Sequence, residues 1–229
     1  MHFLLPIGFA VIIGLVSYLF SVNKTKQALA LKSKPLKSLE LEDKICALAV
    51  ALDLTHLNVN VYDIEPINGL AAPGGQIYIT QGFLSKFNKG EVTATEIASV
   101  IAHELGHVAL GHTRRRMIDF SGQNALRTAL SITLNRFIPV IGPWLANFAV
   151  TIIAARMSRK DEFEADSYAT ALMLKSGLGI QSQKTLLQKL DKLTGGTESV
   201  PAWFMSHPKV GERLKAIELN EKKWTGTVS

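Results

Sequence analysis

The chain has 229 residues and a formal net charge of +6, a length that suits one catalytic-size domain plus an appendage and can bury a real core. Its single cysteine, Cys46, excludes an intramolecular disulfide framework and any cysteine-rich zinc module. The positive charge is clustered at Lys24, Lys26, Lys32, Lys34 and Lys37 and again at Arg114 to Arg116. With no recognition motif and no interleaved aromatics, these clusters suit an anionic membrane surface better than nucleic acid.

Phe3 to Val22 carries no formal charge, and that length matches the hydrocarbon core of a bilayer. No basic region precedes the run, and Ser21-Val22-Asn23 is a poor cleavage site. The run therefore reads as an uncleaved transmembrane anchor over 1–22 rather than a signal peptide. The lysines follow it, so the positive-inside rule places the rest of the chain in the cytoplasm as a single-pass membrane protein. Residues 23–38, rich in Lys and Ser with Pro35, read as a basic linker, and 39–229 as the main domain.

Leu39 to Leu54 has helical apolar spacing, with acids near its start. Asn58 to Ile64 and Gln76 to Thr80 alternate like strands, with turn signals at Asn68-Gly69 and Pro73-Gly74-Gly75 between them. This pattern predicts a small antiparallel sheet. Thr93-Ala94-Thr95-Glu96 fits a capping box that opens a helix. Phe137 to Ala155 is uncharged, but Pro139, Gly142 and Pro143 break its first part. Trp144 to Ala155 then reads as a shorter buried or interfacial helix. The remainder reads as mostly helical to about Trp224.

The chemistry concentrates in the helix that starts at Thr93. Ile97, Val100, Ile101, Leu105 and Val108 form its apolar stripe. At about 100° per residue, His103 and His107 stand about 40° apart and one turn above each other, so two imidazoles can meet one zinc ion. Glu104 projects beside them, where a carboxylate can take a proton from a metal-bound water. This is the His-Glu-x-x-His arrangement of zinc peptidases. Gly106 is costly in a helix interior by about 1 kcal/mol, which close approach of another backbone would explain. His112 lies about 140° from His107 on a continuing helix and cannot share its metal. The longer pattern with Gly and a third His needs them at 110 and 113, where the chain has Leu110 and Thr113. His112 therefore reads as a helix-end residue beside Gly111.

A third ligand has to come from elsewhere. Glu162 and Asp166, four apart in "SRKDEFEADSYA", share a helical face; one can ligate zinc while the other holds a ligand imidazole. Glu164 points to the other side, about 160° from Glu162. Without the histidines upstream, these acids would read as an ordinary acidic helix start.

At this point the chain resembles the zinc endopeptidases that include HtpX and the CAAX prenyl endopeptidases. "HELGH" and "EFEAD" match that family's His-Glu-x-x-His and Glu-x-x-Ala-Asp pair, and "AAPGGQIYIT" and "SHPKVGERL" resemble two further stretches in the same order. The resemblance covers about Leu39 to Leu219. It implies an α+β, mainly helical zincin-like metallopeptidase domain of the gluzincin type. It also implies His103, His107 and Glu162 as ligands of one Zn2+ and Glu104 as the catalytic acid/base. HtpX has more membrane spans, and nothing in this sequence calls for prenylated substrates.

The expected activity is zinc-dependent hydrolysis of peptide bonds in extended or unfolded protein substrates, in a setting such as membrane-protein or envelope quality control. Lipid would be met through residues 3–22, and no nucleic acid partner is expected. Gly74, Gly75, Gln76, Ile77 and Tyr78 form the candidate substrate strand. His207 and Arg213 are candidates for oxyanion stabilisation; His207 could instead occupy the metal's open position, and Arg213 could anchor the last helix. The rival expectation is a membrane-anchored zinc-binding chaperone or adaptor that cuts nothing, for which Glu104 would be an unnecessary base.

Overall fold

A computed structural model describes residues 4–72, 74–113, 115, 131, 138, 141–194 and 210–226. Helix α1 (Leu4–Leu31) leads into strand β1 (Ser33–Pro35), helix α2 (Leu39–Ala51) and strand β2 (Val59–Tyr62). Strands β3 (Gly69–Ala71) and β4 (Ile77–Thr80) follow, then helices α3 (Gln81–Asn88) and α4 (Ala94–Ala109). Helices α5 (Ile141–Lys175), α6 (Gln181–Thr194) and α7 (Val210–Thr225) complete the described part. The architecture is mainly helical with a small sheet.

That sheet is mixed, not antiparallel. Its order is β1-β2-β4-β3: β1 pairs antiparallel with β2, β2 parallel with β4, and β3 antiparallel with β4. The chain reverses twice between Tyr62 and Ile77, with β3 between the reversals; the first falls before Asn68-Gly69, because Gly69 opens β3 and Asn68 already accepts from Thr80 N–H. Two reversals return β4 to the direction of β2.

Residues 23–38, expected as a basic linker, hold regular structure. Their first part continues α1 to Leu31 and their end holds β1. Leu29 packs with Ala72 and Tyr78 on one face of the sheet, while Leu36 joins the main core. Among the described residues no helix is long and apolar enough to cross a membrane. The expected span over Phe3 to Val22 rests largely on side chains, those of residues 1–15, that lie outside the described ones.

The main core lies between the other face of the sheet and helices α2, α4, α5 and α6, with Ile77, Ile79, Phe83, Ile97, Ile101 and Leu190 at its centre. Helix α4 is buried nearly end to end, from Ala94 to His107. The long α5 is one continuous helix from Ile141. Pro143 falls in its first turn, where a missing N–H breaks no intrahelical bond, so the expected shorter helix starting at Trp144 does not form. The acids at 161–166 consequently sit mid-helix, where a terminal dipole gives them no support.

Candidate metal centre

Helix α4 is fixed at its start by a reciprocal cap. The Glu96 N–H donates to the Thr93 hydroxyl at 3.2 Å, and the Thr93 N–H donates to the Glu96 carboxylate at 2.8 Å. From that start the helical repeat carries His103, Glu104 and His107 into the interior, each no more than 4% exposed. Gly106 lets α5 cross in contact: a Cβ there would stand 3.0 Å from the Ala165 carbonyl oxygen and 3.1 Å from Tyr168 Cβ. The glycine's propensity cost thus has a packing cause, the close backbone approach expected from the sequence.

That approach brings Glu162 to the two histidines. His103 Nε2 and His107 Nε2 are 3.1 Å apart, and Glu162 lies 3.3 Å from the first and 3.4 Å from the second. Around a tetrahedral zinc with bonds of about 2.0–2.1 Å, neighbouring donor atoms stand roughly 3.3–3.4 Å apart. The three donors therefore have the spacing and chemistry of a zinc site, two imidazoles and one carboxylate converging by their ligating atoms. Glu162 is fully buried, an expensive place for a carboxylate unless charge or hydrogen bonds meet it.

Asp166 lies behind His103. Its Oδ1 is 2.9 Å from His103 Nδ1, and the Arg213 guanidinium clamps both carboxylate oxygens at 2.7 Å. Burial works against charge on His103, but the hydrogen bonds to Asp166 and Glu162 outweigh it and raise its pKa to about 9. Burial likewise opposes ionised Asp166, yet the Arg213 guanidinium beside it holds the carboxyl well below the usual carboxylate range. Arg213 is thereby placed on the Nδ1 side of His103, away from the Nε2 atoms that converge. His207 lies outside the described residues.

Glu164, expected on the far side of its helix, is indeed away from Glu162's partners, and it meets His112. His112, in sequence a helix-end residue beside Gly111, is fully buried against His107. The candidate substrate strand also needs correction. Ile77 and Tyr78 belong to β4, which is paired on both sides, so an added strand finds no free edge there. Among the described residues the free edge next to the site is β3, where Gly69 lies over Val100 and Glu104. Thr80 N–H donates to Asn68 O and Ala72 N–H to Gln76 O. By antiparallel alternation, Gly69 and Ala71 then turn their N–H and C=O groups away from β4. Gly74 and Gly75, with φ of 106° and 85°, form the turn between β3 and β4.

A His-Glu-x-x-His helix met by a carboxylate from a second, crossing helix has the arrangement of a metallopeptidase site. The chain belongs to peptidase family M48, whose profile matches residues 35–221. It is similar to metalloprotease LoiP of Escherichia coli K12, 31% identical over 161 residues covering 70% of this chain and 61% of that protein. Metalloprotease YcaL of the same organism is 33% identical over 172 residues, 75% of this chain and 65% of that protein. The mitochondrial metalloendopeptidase OMA1 of Homo sapiens is 24% identical over 168 residues, covering 70% of this chain and 31% of that protein. The chain thus spans less than two thirds of the length of these relatives.

Proposed function

We propose that the protein is a zinc-dependent endopeptidase acting on extended segments of protein substrates. The convergence of His103, His107 and Glu162 donors at 3.1–3.4 Å, with Glu104 next in sequence to the first, carries this reading. Zinc held by these residues would lower the pKa of a bound water to about 7 and polarise a carbonyl. Glu104 takes the water's proton and hands it to the departing amine, so one carboxylate serves as base and then acid. Asp166, itself oriented by Arg213, holds the His103 ring by Nδ1 so that Nε2 points to the metal position.

The outward N–H and C=O groups of Gly69 and Ala71 would bind substrate backbone by strand addition, directly above Glu104. A strand edge takes unfolded chain more readily than folded domains, which fits surveillance of misfolded protein at a membrane. The uncharged run 3–22 would supply the anchor, with 39–229 as the peptidase domain on the cytoplasmic side. In the test, membranes bearing the full chain keep it through a high-salt wash. The detergent-solubilised protein then cleaves unfolded casein, stops on chelation and recovers with zinc. Cleavage that survives complete metal removal would overturn the reading, and release by salt would overturn the anchor alone.

A further inference from the structure

The two candidate metal-binding histidines are backed by different partners. His103 has a carboxylate behind Nδ1. His107 has another imidazole: its Nδ1 is 3.1 Å from His112 Nδ1. The other nitrogen of His112, Nε2, is 3.0 Å from Glu164 Oε2 and 3.6 Å from Asp161 Oδ1. His112 is completely buried.

Proton bookkeeping fixes the roles. If His107 presents the Nε2 lone pair to a metal, its proton sits on Nδ1. Two facing ring nitrogens can share one proton only, so His112 Nδ1 accepts. The proton of His112 is then on Nε2, where two carboxylates face it. Each ring nitrogen of His112 thus has its own partner, Nδ1 facing His107 and Nε2 facing Glu164 and Asp161.

His112, Asp161 and Glu164 could also be taken for a second cation site. Positive charge is already supplied there: Arg115 stands 3.1 Å from Asp161 and Lys160 3.4 Å from Glu164. His112 Nδ1 is also committed to His107. The cluster has the makings of a support, not of a second metal site.

The local backbone explains how His112 arrives. Helix α4 ends at Ala109, and Gly111 takes φ of +71°, a left-handed conformation that costs a residue with a Cβ about 1 kcal/mol or more. Helical backbone resumes at His112 and Thr113. This break swings His112 back to the Nδ1 edge of His107, which a continuous helix would not allow.

We propose that His112 is a positioning residue for the metal centre, an imidazole relay that sets the tautomer and orientation of His107 and is itself held by Glu164 and Asp161. This rests on the zinc reading of His103, His107 and Glu162. Partners behind a metal-ligating histidine typically matter 10–100-fold in metal affinity.

The test is zinc affinity of the full chain in detergent, measured by competition with a chromophoric chelator, alongside the absorption spectrum of the cobalt-substituted protein. His112→Leu removes the acceptor and should weaken zinc binding about 10–100-fold and shift the cobalt bands. His112→Asn places an oxygen acceptor near the old Nδ1 and should recover most of both. Wild-type affinity in His112→Leu, or equal loss in both variants with unchanged circular dichroism, overturns the relay. Should His112→Leu not fold, nitrogen NMR of the zinc-loaded wild type decides: a scalar coupling across the His107–His112 hydrogen bond supports the relay, and a protonated His112 Nδ1 refutes it. A wild type that takes up no zinc removes the metal reading together with the relay, whereas an intact zinc site with an indifferent His112 removes the relay alone.

Discussion

Asp166 receives the His103 ring on one oxygen and the Arg213 guanidinium on both. Each of these three groups is almost entirely buried, so each needs the others to stay there. Asp166→Asn keeps the shape and removes the charge, stranding a buried guanidinium. We expect a loss of about 3–5 kcal/mol in stability together with about 10–100-fold weaker zinc binding. Denaturant unfolding and zinc titration measure the two, and a variant unchanged in both would mean that the clamp is idle. At this scale spacing singles out His103 with His107 and Glu162 with Asp166, because one helical turn separates the partners of each pair; Glu104 is singled out by its place next to His103, and Glu162 as the ligand of its pair only by the family resemblance. Spacing does not single out His112, since its position depends on where α4 stops. Gly111 was the available signal: a helix that ends there frees the next residue from the 100° rule.

Helix α4 is also held at its start by α6. Glu96 accepts from Lys189 at 2.8 Å and from Thr185 at 2.8 Å, as well as from its own cap. Burial alone would raise the Glu96 pKa; Lys189, the Thr93 N–H and Thr185 outweigh it and hold the value below normal. A carboxylate depressed in the fold contributes stability that is present above the unfolded value of about 4.3 and is lost as pH falls through the lowered folded value. Glu96→Gln should therefore be less stable than wild type by about 1–3 kcal/mol near neutrality, and the gap should close as pH drops below about 4. Urea unfolding at several pH values tests this; a gap that widens in acid would refute it.

The capping box of α4 was legible because it is a four-residue signature. The α6 clamp was not, because nothing in sequence ties Lys189 to Glu96 across 93 residues. The sheet's direction was misread for a similar reason. Short strands reveal alternation, but pairing depends on how many reversals lie between them.

On the scale of the molecule, α4 is the axis. The sheet lies against it through β3 and β4, α5 crosses it at Gly106, and α6 caps its start. The crossing with α5 brings Glu162 to His103 and His107, and the seating of β3 brings over Glu104 a strand edge unpaired among the described residues. Helix α1 joins this body through Leu29 and β1, so the segment after the apolar run is built into the fold. The class of fold was readable from the helical spacing and the two short alternating runs. The continuity of α5 was hidden by Pro143, whose tolerance in a first turn cannot be judged until the helix start is known.

The central claim is that Glu104 acts on a substrate at a metal held by other residues. Full-length Glu104→Gln beside wild type, with zinc content and hydrolysis of unfolded casein read on the same preparations, tests it most directly. The account predicts one zinc per chain in both proteins and hydrolysis reduced at least 100-fold in the variant. Undiminished hydrolysis by a variant free of wild-type contamination would contradict it.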